Sequence, residues 1–247
     1  TDCALKAYYP DAGYISHNNQ LNSFVDAMYH AARYVSLKRK IRLIKPFKVK
    51  SGALLDVGAG TGHFIKSANA AGWDAIGIEP NIKAREIANS SGNVLIFDQD
   101  KLSGFPEHSF DVITLWHVLE HLPNLLESIN VFKKLLKPEG RIIVAVPNYK
   151  SYDSNHFKNF WAAYDAPRHL WHFSKDSMTK VFSKVQMSLE STHPMLMDAF
   201  YVSMLSNKYK SGSHKILSSL RTGLLSNIKA FRTGEYSSLI YVIKNNV

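Results

Sequence analysis

The segment Leu54–Phe64 constrains the fold of this chain more than any other part of its sequence. It reads Leu-Leu-Asp-Val-Gly-Ala-Gly-Thr-Gly-His-Phe, so a short apolar run ends in an acid and three glycines follow at alternate positions. Glycine accepts the positive φ angles of a sharp turn and lets the backbone approach a ligand closely. Because such a turn joins a strand to a helix, it predicts a nucleotide-like ligand at the carboxyl end of a parallel-sheet strand.

The spacing of the three glycines, Gly58, Gly60 and Gly62, bears on the kind of ligand. Dinucleotide-binding proteins carry Gly-x-Gly-x-x-Gly and hold a pyrophosphate at the N-terminus of the following helix. The shorter spacing found here better suits an uncharged sugar and an amino-acid tail. Farther along the chain, Glu79 offers two carboxylate oxygens that can accept hydrogen bonds from both hydroxyls of a ribose. Asp56 is then placed to meet an amino group of the ligand, directly or through water.

Apolar segments and helix-like segments alternate between residues 53 and 146. The predicted strands are Ala53–Val57, Asp74–Ile78, Val94–Phe97, Asp111–Trp116 and Arg141–Val146, and the predicted helices are Gly62–Ala71, Ile82–Ser90 and Leu125–Leu136. Pro138-Glu139-Gly140 predicts a turn into the last of these strands. The alternation predicts an α/β fold, with a doubly wound and mostly parallel sheet that carries helices on both faces.

The two ends of the chain depart from this alternation. Residues 1–50 are predicted to form an N-terminal helical extension, because apolar positions recur at helical spacing from Gln20 to Lys45. After Pro147, the aromatic and polar residues 148–173 predict a functional loop insertion. The remaining predicted elements are a helix capped by Ser174 and ending near Lys184, strands at Ser188–Thr192 and Ser238–Val242, and a helical insertion over 196–235 that is helical from Leu196 to Arg232.

Charge and cysteine content narrow the setting of the protein. The net charge of +10 is concentrated in two basic segments, 33–50 and 208–232, which can meet phosphate, anionic lipid or an acidic partner, or form solvated helix faces. The single cysteine, Cys3, excludes an internal disulfide framework and predicts a reducing, cytoplasmic location. No apolar run approaches the length of a membrane span. The start at Thr1 without a charged and apolar leader predicts a chain that is not secreted.

Four segments together resemble the motifs of class I S-adenosylmethionine-dependent methyltransferases. They are the glycine loop Leu54–Phe64 and the segments Ile76–Pro80, Ser109–Leu122 and Leu136–Arg141. In these segments the chain is most similar to small-molecule methyltransferases of the ubiquinone-biosynthesis type and to their uncharacterised relatives, and Asp165–Ser174 resembles a segment of that second group. The resemblance implies a Rossmann-like, seven-stranded sheet and a methyltransferase domain over residues 51–247.

The resemblance also implies which residues bind S-adenosylmethionine and its product S-adenosylhomocysteine. They are Asp56, Gly58, Ala59, Gly60 and Gly62 in the glycine loop, Glu79 and Pro80 at the ribose, Asp98 and Gln99 at the adenine, and Trp116 and His117 after the fourth strand. For the glycine loop taken alone, a dinucleotide enzyme remains the alternative.

The expected reaction is in-line methyl transfer to a small-molecule acceptor, with oxygen favoured over nitrogen or carbon as the acceptor atom. A hydroxyl acceptor needs a base near its proton, and histidine is the usual choice at neutral pH. The candidate histidines are His117, His121, His156, His169 and His172. The catalytic residues predicted here are His121, His117, Arg168 and His169, with His117 near the cofactor and His121 in the acceptor pocket. Arg168 pairs either with an anionic acceptor or, as the alternative, with Asp165 in its own loop.

A divalent metal is a weaker expectation. Some of the ubiquinone-type enzymes are thought to bind one through acids and a histidine at the positions around Glu120 and His121. His117 stands where an acid is expected, so no metal ligand is assigned. If a helix begins there, the three side chains share one face, and the alternative is that Glu120 and His121 only hold the loop.

Other functions and partners stay open at this point. An RNA or protein methyltransferase could use the basic segments, but the residues after the fourth strand, 116–119, differ from the Asn/Asp-Pro-Pro-aromatic set that grips a flipped-out base. A methyltransferase fold kept as a non-catalytic binding protein is a further alternative. Segment 196–232 fits core packing, an acceptor lid, a dimer surface or a membrane-facing patch, so both a monomer and a homodimer, and a peripheral membrane contact, are compatible with the sequence.

Overall fold

A computed structural model of the chain describes residues 24–49, 52–90, 92 and 94–246. Its helices are α1 (Phe24–Ile44), α2 (His63–Ala70), α3 (Ile82–Ser90), α4 (Leu125–Leu135), α5 (Tyr152–Phe157), α6 (Lys175–Ser183), α7 (Asp198–Ser211) and α8 (Ile216–Thr233). Its strands are β1 (Ala53–Val57), β2 (Asp74–Ile78), β3 (Leu95–Phe97), β4 (Phe110–Trp116), β5 (Leu136–Pro147), β6 (Met187–Pro194) and β7 (Ser238–Asn245). Short 3₁₀ turns include Gln99–Gly104, Leu119–His121 and Ala162–Tyr164.

The strands form one seven-stranded sheet in the order β3-β2-β1-β4-β5-β7-β6. The pairs β1–β2, β1–β4 and β2–β3 are parallel, and β6–β7 is antiparallel. The sheet is therefore mixed, with the parallel part predicted from the sequence, and the Rossmann-like fold is confirmed. The strand order reverses at β1, and ligands of such sheets bind beyond the carboxyl ends of the strands at this switch point.

The predicted N-terminal helical extension is confirmed by α1, although its predicted start at Gln20 and the residue Cys3 lie outside the described residues. The predicted helix cap at Ser174 is also confirmed. Its hydroxyl accepts the Ser177 N–H while the Ser177 hydroxyl accepts the Ser174 N–H in return, so both ends of this capping box are satisfied.

Two predicted boundaries were wrong. Strand β5 begins at Leu136, so residues 138–140 belong to the strand and not to a turn before it. Gly140 has a packing role there, because a Cβ at this position would lie 2.9 Å from the carbonyl oxygen of Asp111. The helical segment from Leu196 to Arg232 is broken into α7 and α8, because Gly212 ends α7 in the left-handed conformation with φ 74°.

The contacts divide the chain into two compact units. Of the described residues, the first unit contains those up to 115 and residues 127–142, and the second contains residues 116–126 and 143–246. In the first unit, fully buried apolar residues of β1, α2 and β4 form the core; they include Leu54, Leu55, Ile65, Val112 and Ile113. The division proposed from the sequence, between residues 50 and 51, stays a prediction.

A buried carboxylate, Asp153, organises the second unit. Its Oδ2 accepts hydrogen bonds from the Trp161 indole N–H and the Ser237 hydroxyl, each at 2.7 Å, and its Oδ1 accepts one from the Ser226 hydroxyl at 2.7 Å. The side chain is fully buried. These bonds join α5, the following loop, α8 and the residue before β7. The predicted insertion 148–173 is therefore an ordered part of this unit, with α5 and two 3₁₀ turns of its own.

No helix among the described residues is long and apolar enough to span a membrane.

Candidate active site

The glycine loop after β1 adopts the conformation that its sequence predicts. Gly58, Gly60 and Gly62 have φ angles of 73°, 54° and 77°, in the left-handed region that glycine enters without a steric penalty. The N–H groups of Gly58 and Ala59 both donate to the carbonyl oxygen of Ile78, at 2.8 and 3.0 Å. The loop is thus fixed to the carboxyl end of β2 by its own backbone.

Glu79 follows β2 and closes the same loop. Its Oε2 accepts the Gly60 N–H at 2.8 Å and its Oε1 accepts the Asn81 N–H at 3.0 Å. The residue is 4% exposed, and this burial raises the pKa of its carboxyl group above the usual 4.5, against the effect of the two backbone hydrogen bonds. Each carboxylate oxygen has about two acceptor sites, so the carboxylate retains capacity for the two ribose hydroxyls that the sequence assigned to it.

Gly77 makes room for the glycine loop, a packing role that was not predicted from the sequence. It lies within β2, where a Cβ would lie 2.7 Å from the Ala59 Cβ and still closer to the Ile65 side chain. A residue with a side chain would therefore displace the glycine loop. A glycine inside an otherwise apolar strand is the sequence signal for such a close approach.

Asp56, the acid of the loop motif, is buried at the end of β1. The Thr114 hydroxyl donates a hydrogen bond of 2.6 Å to its Oδ1. Burial raises the pKa of Asp56 from 3.8 to about 7, although the hydrogen bond from Thr114 opposes the shift. A carboxyl group that titrates near neutral pH can ionise when a cationic ligand arrives.

The residues predicted to lie at the adenine are joined to Glu79 through Arg85. The Arg85 guanidinium donates to the Glu79 carbonyl oxygen at 2.6 Å and forms an ion pair with Asp98 at 2.7 Å. Gln99 begins the 3₁₀ turn after Asp98 and is exposed, as is Pro80. All predicted cofactor residues up to Gln99 therefore lie in or next to the loops that follow β1, β2 and β3 in the first unit.

Trp116 and His117, also predicted to bind the cofactor, belong to the second unit. Trp116 is the half-buried last residue of β4, and His117 follows with φ 57°, a left-handed conformation that is uncommon outside glycine. The His117 N–H donates to the Ala145 carbonyl oxygen at 2.9 Å. His117 Nδ1 lies 3.3 Å from Glu120 Oε1, and its Nε2 lies 3.0 Å from Asp198 Oδ2.

The two carboxylates determine the charge of His117. Burial alone would lower the pKa of the imidazole, but the hydrogen bonds to Asp198 and Glu120 outweigh it and raise the pKa from 6.5 to about 10, even though 34% of the side chain is exposed. His117 is therefore an imidazolium cation at neutral pH and is not suited to accept a proton. Asp198, 81 residues away in sequence at the start of α7, could not have been paired with it from the sequence.

His121 and His169, two of the predicted catalytic residues, lie in contact with each other. Their rings meet edge to face with centroids 4.6 Å apart. The Nδ1 of His121 lies 3.1 Å from the Arg168 carbonyl oxygen, and the Nδ1 of His169 lies 2.8 Å from the Ala163 carbonyl oxygen. Since a carbonyl oxygen can only accept, each Nδ1 carries a proton, and in a neutral His121 ring Nε2 then bears the lone pair. Burial lowers the pKa of His121 below 6.5, so this ring is neutral at neutral pH.

Glu120 completes a potential metal site with the two histidines. One ligand atom from each of Glu120, His121 and His169 lies within 4.8 Å of the others. Glu120 is fully buried, and its Oε2 has no hydrogen-bond partner among the described residues. In metal sites a ligating histidine usually donates its second ring N–H to a carbonyl or carboxylate, which is the arrangement of both rings here. The donor set therefore fits a divalent cation. From the sequence alone, no ligands were assigned to such a metal.

The predicted loop insertion 148–173 is held next to Glu120 mainly by backbone hydrogen bonds. The Leu170 and Trp171 N–H groups both donate to the Glu120 carbonyl oxygen, at 2.8 and 3.3 Å, and the Trp171 indole N–H donates to the Leu122 carbonyl oxygen at 2.8 Å. The Arg168 guanidinium donates to Asp165 Oδ1 at 2.6 and 3.1 Å. This pairing is the alternative that the sequence offers to binding an anionic acceptor. Arg168 acts on His121 through its carbonyl oxygen.

The two remaining candidate histidines lie in other surroundings. The ring of His156 stacks on Tyr152 at 5.9 Å and meets Phe157 edge to face. The ring of His172 meets Tyr164 edge to face at 5.1 Å.

Fold and loop together define the class of protein. The sheet has seven strands and an antiparallel last pair. A glycine loop follows β1, and a carboxylate after β2 holds this loop. These features are typical of a Rossmann-like class I methyltransferase. Residues 29–192 match the family model described as methyltransferase domain, which is more than half of the chain. The chain therefore belongs to the methyltransferase domain family, whose cofactor is S-adenosylmethionine.

Similar proteins agree with this assignment. The chain is 35% identical over 106 residues to a ubiquinone biosynthesis O-methyltransferase of Actinobacillus pleuropneumoniae, in an alignment that covers 38% of this chain and 45% of that protein. It is 25% identical over 146 residues to the uncharacterised methyltransferase YcgJ of Bacillus subtilis, covering 56% of this chain and 57% of that one. The chain thus spans about half the length of these curated relatives.

A solved structure shows the same fold. The magnesium protoporphyrin IX methyltransferase ChlM of Synechocystis PCC 6803, crystallised with bound S-adenosylhomocysteine, aligns with a TM-score of 0.65 and 12% identity. The alignment covers 100% of both chains. At this identity the likeness establishes the fold.

Proposed function

We propose that this protein transfers the methyl group of S-adenosylmethionine to a hydroxyl group of a small-molecule acceptor. The observation that carries the proposal is the complete glycine loop, with three glycines at positive φ, Glu79 bonded to Gly60, and Asp56 buried beside them. The curated relatives named as ubiquinone biosynthesis O-methyltransferases support oxygen as the acceptor atom. A cytoplasmic location, inferred from the single cysteine, stays a prediction.

In the first unit, Glu79 accepts hydrogen bonds from the ribose hydroxyls of the cofactor. The ionised Asp56 accepts hydrogen bonds from the ammonium group of the cofactor. The pKa of Asp56, near 7, means that binding of this cation draws the carboxyl group into its ionised form. The glycines leave the space that the cofactor needs beside the loop backbone.

In the second unit, His121 takes the proton of the acceptor hydroxyl. The hydrogen bond from its Nδ1 to the Arg168 carbonyl oxygen fixes the tautomer, and the lowered pKa keeps Nε2 able to accept a proton at neutral pH. His117 is a positioning residue in the same unit, because its two ring nitrogens contact Glu120 and Asp198 and hold these carboxylates in place.

A divalent metal held by Glu120, His121 and His169 is a second way to activate the acceptor. Two imidazoles and a carboxylate suit a zinc-like transition metal. A bound cation would act as a Lewis acid and lower the pKa of an acceptor hydroxyl. Titration with Co²⁺ tests this without turnover: visible absorption bands of a tetrahedral complex should appear in the wild type and be lost in His169→Ala. Absence of these bands in the wild type would leave His121 as the base.

The proposed function is tested by binding and transfer together. Calorimetric titration with S-adenosylmethionine should show one site per chain. Methyl-labelled cofactor should pass its label to one of a panel of phenols and catechols, with RNA included as the alternative acceptor, and S-adenosylhomocysteine should be released. A Glu79→Ala variant is the control for both measurements. No binding at high cofactor concentration would overturn the proposal, and label transfer to RNA in the same assay would favour the alternative acceptor.

A further inference from the structure

Helix α8 carries its large apolar side chains on the outside. Leu217 and Phe231 are each 85% exposed, and between them Leu220, Leu224 and Ile228 are 42%, 54% and 56% exposed. The buried residues of the same helix are all small: Ser219, Thr222, Gly223, Ser226 and Ala230. A surface helix of a globular protein normally buries its apolar stripe and exposes its polar one. Helix α8 shows the inverse arrangement.

The inward face of α8 packs closely against its neighbours. The apolar side chains are therefore exposed on a helix whose orientation is fixed. A Cβ on Gly223 would lie 2.9 Å from the Phe200 Cα of α7, which shows how closely the two helices approach. The Asn207 side-chain amide donates to the Ser219 hydroxyl at 2.8 Å, and the Ser226 hydroxyl donates to the buried Asp153. Turning the apolar side chains inward would break these bonds and leave buried polar groups without partners.

The exposed side chains form one continuous stripe. They follow one another at intervals of three or four residues, which places them on the same face of the helix. From Leu217 to Phe231 the stripe runs for about 21 Å at the rise of an α-helix. An apolar surface of this length marks a site of contact with another apolar phase or molecule.

The charged residues of this part of the sequence are all of one sign. Six cations lie in the segment that contains α8 and the end of α7: Lys208, Lys210, Lys215, Arg221, Lys229 and Arg232. No acidic residue occurs between Asp198 and Glu235. On the helix, Arg221 and Arg232 follow at the edge of the stripe, at the angular positions next to Ile228.

We propose that the stripe of α8 lies in the surface of an anionic lipid bilayer, with its leucines and Phe231 among the acyl chains and its cations at the lipid headgroups. Anionic headgroups complement both features, because the apolar side chains leave water while each cation gains an attractive surface potential. A second copy of this chain fits the same stripe less well. A symmetric contact would bring two acid-free, cationic segments together, and like charges in contact repel.

The test measures binding of the full-length chain to lipid vesicles by flotation. Vesicles of phosphatidylcholine with phosphatidylglycerol should bind the protein, and vesicles of phosphatidylcholine alone should bind it much more weakly. Leu217→Ser and Phe231→Ser should each weaken binding about tenfold or more, given the free energy of burying one large apolar side chain. Arg221→Gln and Arg232→Gln should each weaken it about fivefold. All four side chains are exposed, so the fold should tolerate these changes.

Matched controls remove the same chemistry elsewhere. Val49→Ser and Leu95→Ser remove exposed apolar groups, and Lys66→Gln and Lys134→Gln remove exposed charges, all from the first unit. These variants should bind the anionic vesicles like the wild type. Failure of the wild type to bind anionic vesicles, or equal binding by all variants, would overturn the proposal. A dimer in sedimentation equilibrium that dissociates on Leu217→Ser or Phe231→Ser would also overturn it, in favour of a second copy of the chain.

Discussion

The Glu79 carboxylate accepts the Gly60 N–H at 2.8 Å, so the acid after the second strand holds the loop after the first. One side chain thus has two tasks, because it fixes the glycine loop and presents its remaining acceptor sites to a ribose. Replacing Glu79 removes both the bond that fixes the loop and the acceptor sites for the ribose. The position is therefore more sensitive than a residue that only contacts ligand.

We expect Glu79→Gln to weaken S-adenosylmethionine binding about tenfold to a hundredfold. The amide offers one acceptor oxygen in place of two and puts a donor against a backbone N–H, and hydrogen bonds to a charged group are worth about 1.5–3 kcal/mol each. Calorimetric titration gives the dissociation constant. Glu86→Gln, an exposed acid on α3, is the matched control and should bind like the wild type. Equal affinity of the two variants would remove Glu79 from the cofactor site.

The raised pKa of Asp56 predicts that cofactor affinity depends on pH. The free protein holds this carboxyl group with a pKa of about 7, and a bound ammonium group favours the ionised form. Below pH 7 binding must release a proton, so the association constant should rise by up to about tenfold per pH unit and level off above pH 7. Titrations in two buffers with different ionisation enthalpies measure the proton release. The same pH dependence in Asp56→Asn would assign it to another group.

His121→Ala should lower turnover by about 10²- to 10⁴-fold and leave the dissociation constant of S-adenosylmethionine unchanged. In the wild type, the lowered pKa places the acid limb of the rate profile below pH 6.5. The control is His193→Ala, since His193 lies in β6 and burial lowers its pKa as well. Full turnover by a folded His121 variant would exclude it as the essential base.

The ion pairs of His117 predict a stability that falls as the pH rises. The folded protein holds the proton of His117 with a pKa of about 10, compared with the usual 6.5 of a histidine in an unfolded chain, so the folded state binds this proton more tightly than the unfolded state does. The stabilisation is complete below pH 6.5 and is lost as the pH rises towards 10.

This is measured by thermal unfolding of the wild type and of His117→Asn, because asparagine tolerates the positive φ of this position. The difference in Tm should be largest near pH 6.5 and shrink steadily up to pH 10. The exposed His214→Asn provides a comparison whose Tm difference should not follow this course. A constant difference for His117→Asn would show that the proton is not held by the two carboxylates.

Asp153→Ala should cost about 3–5 kcal/mol of unfolding free energy, because it leaves buried donors of Trp161, Ser226 and Ser237 without their acceptor. Urea unfolding gives the change. Asp176→Asn removes an exposed carboxylate that is paired with Lys150 and should leave the midpoint close to that of the wild type. Equal effects of the two substitutions would show that the buried network does not stabilise the second unit.

The sequence predicted what depends on local pattern. The glycine loop, Glu79 and the strands around them follow from turn chemistry and alternation, which act over a few residues. The pairing of His117 with Asp198 depends on where α7 begins, and no local rule links residues that far apart. Arg168 contributes a carbonyl oxygen that any residue would provide, so no side-chain signal in the sequence could predict this contact with His121. Helical periodicity locates the stripe of α8 but does not say which face of a helix is the buried one.

The contact between Gly223 and Phe200 has a consequence for how this protein can vary. Because a Cβ at 223 would meet the backbone of the neighbouring helix, even alanine there would push α8 outwards. The direction in which Leu217 and Phe231 point is thus set by a residue that has no side chain. Adding one methyl group at this interior position would therefore displace the whole exposed stripe, which is about 21 Å long.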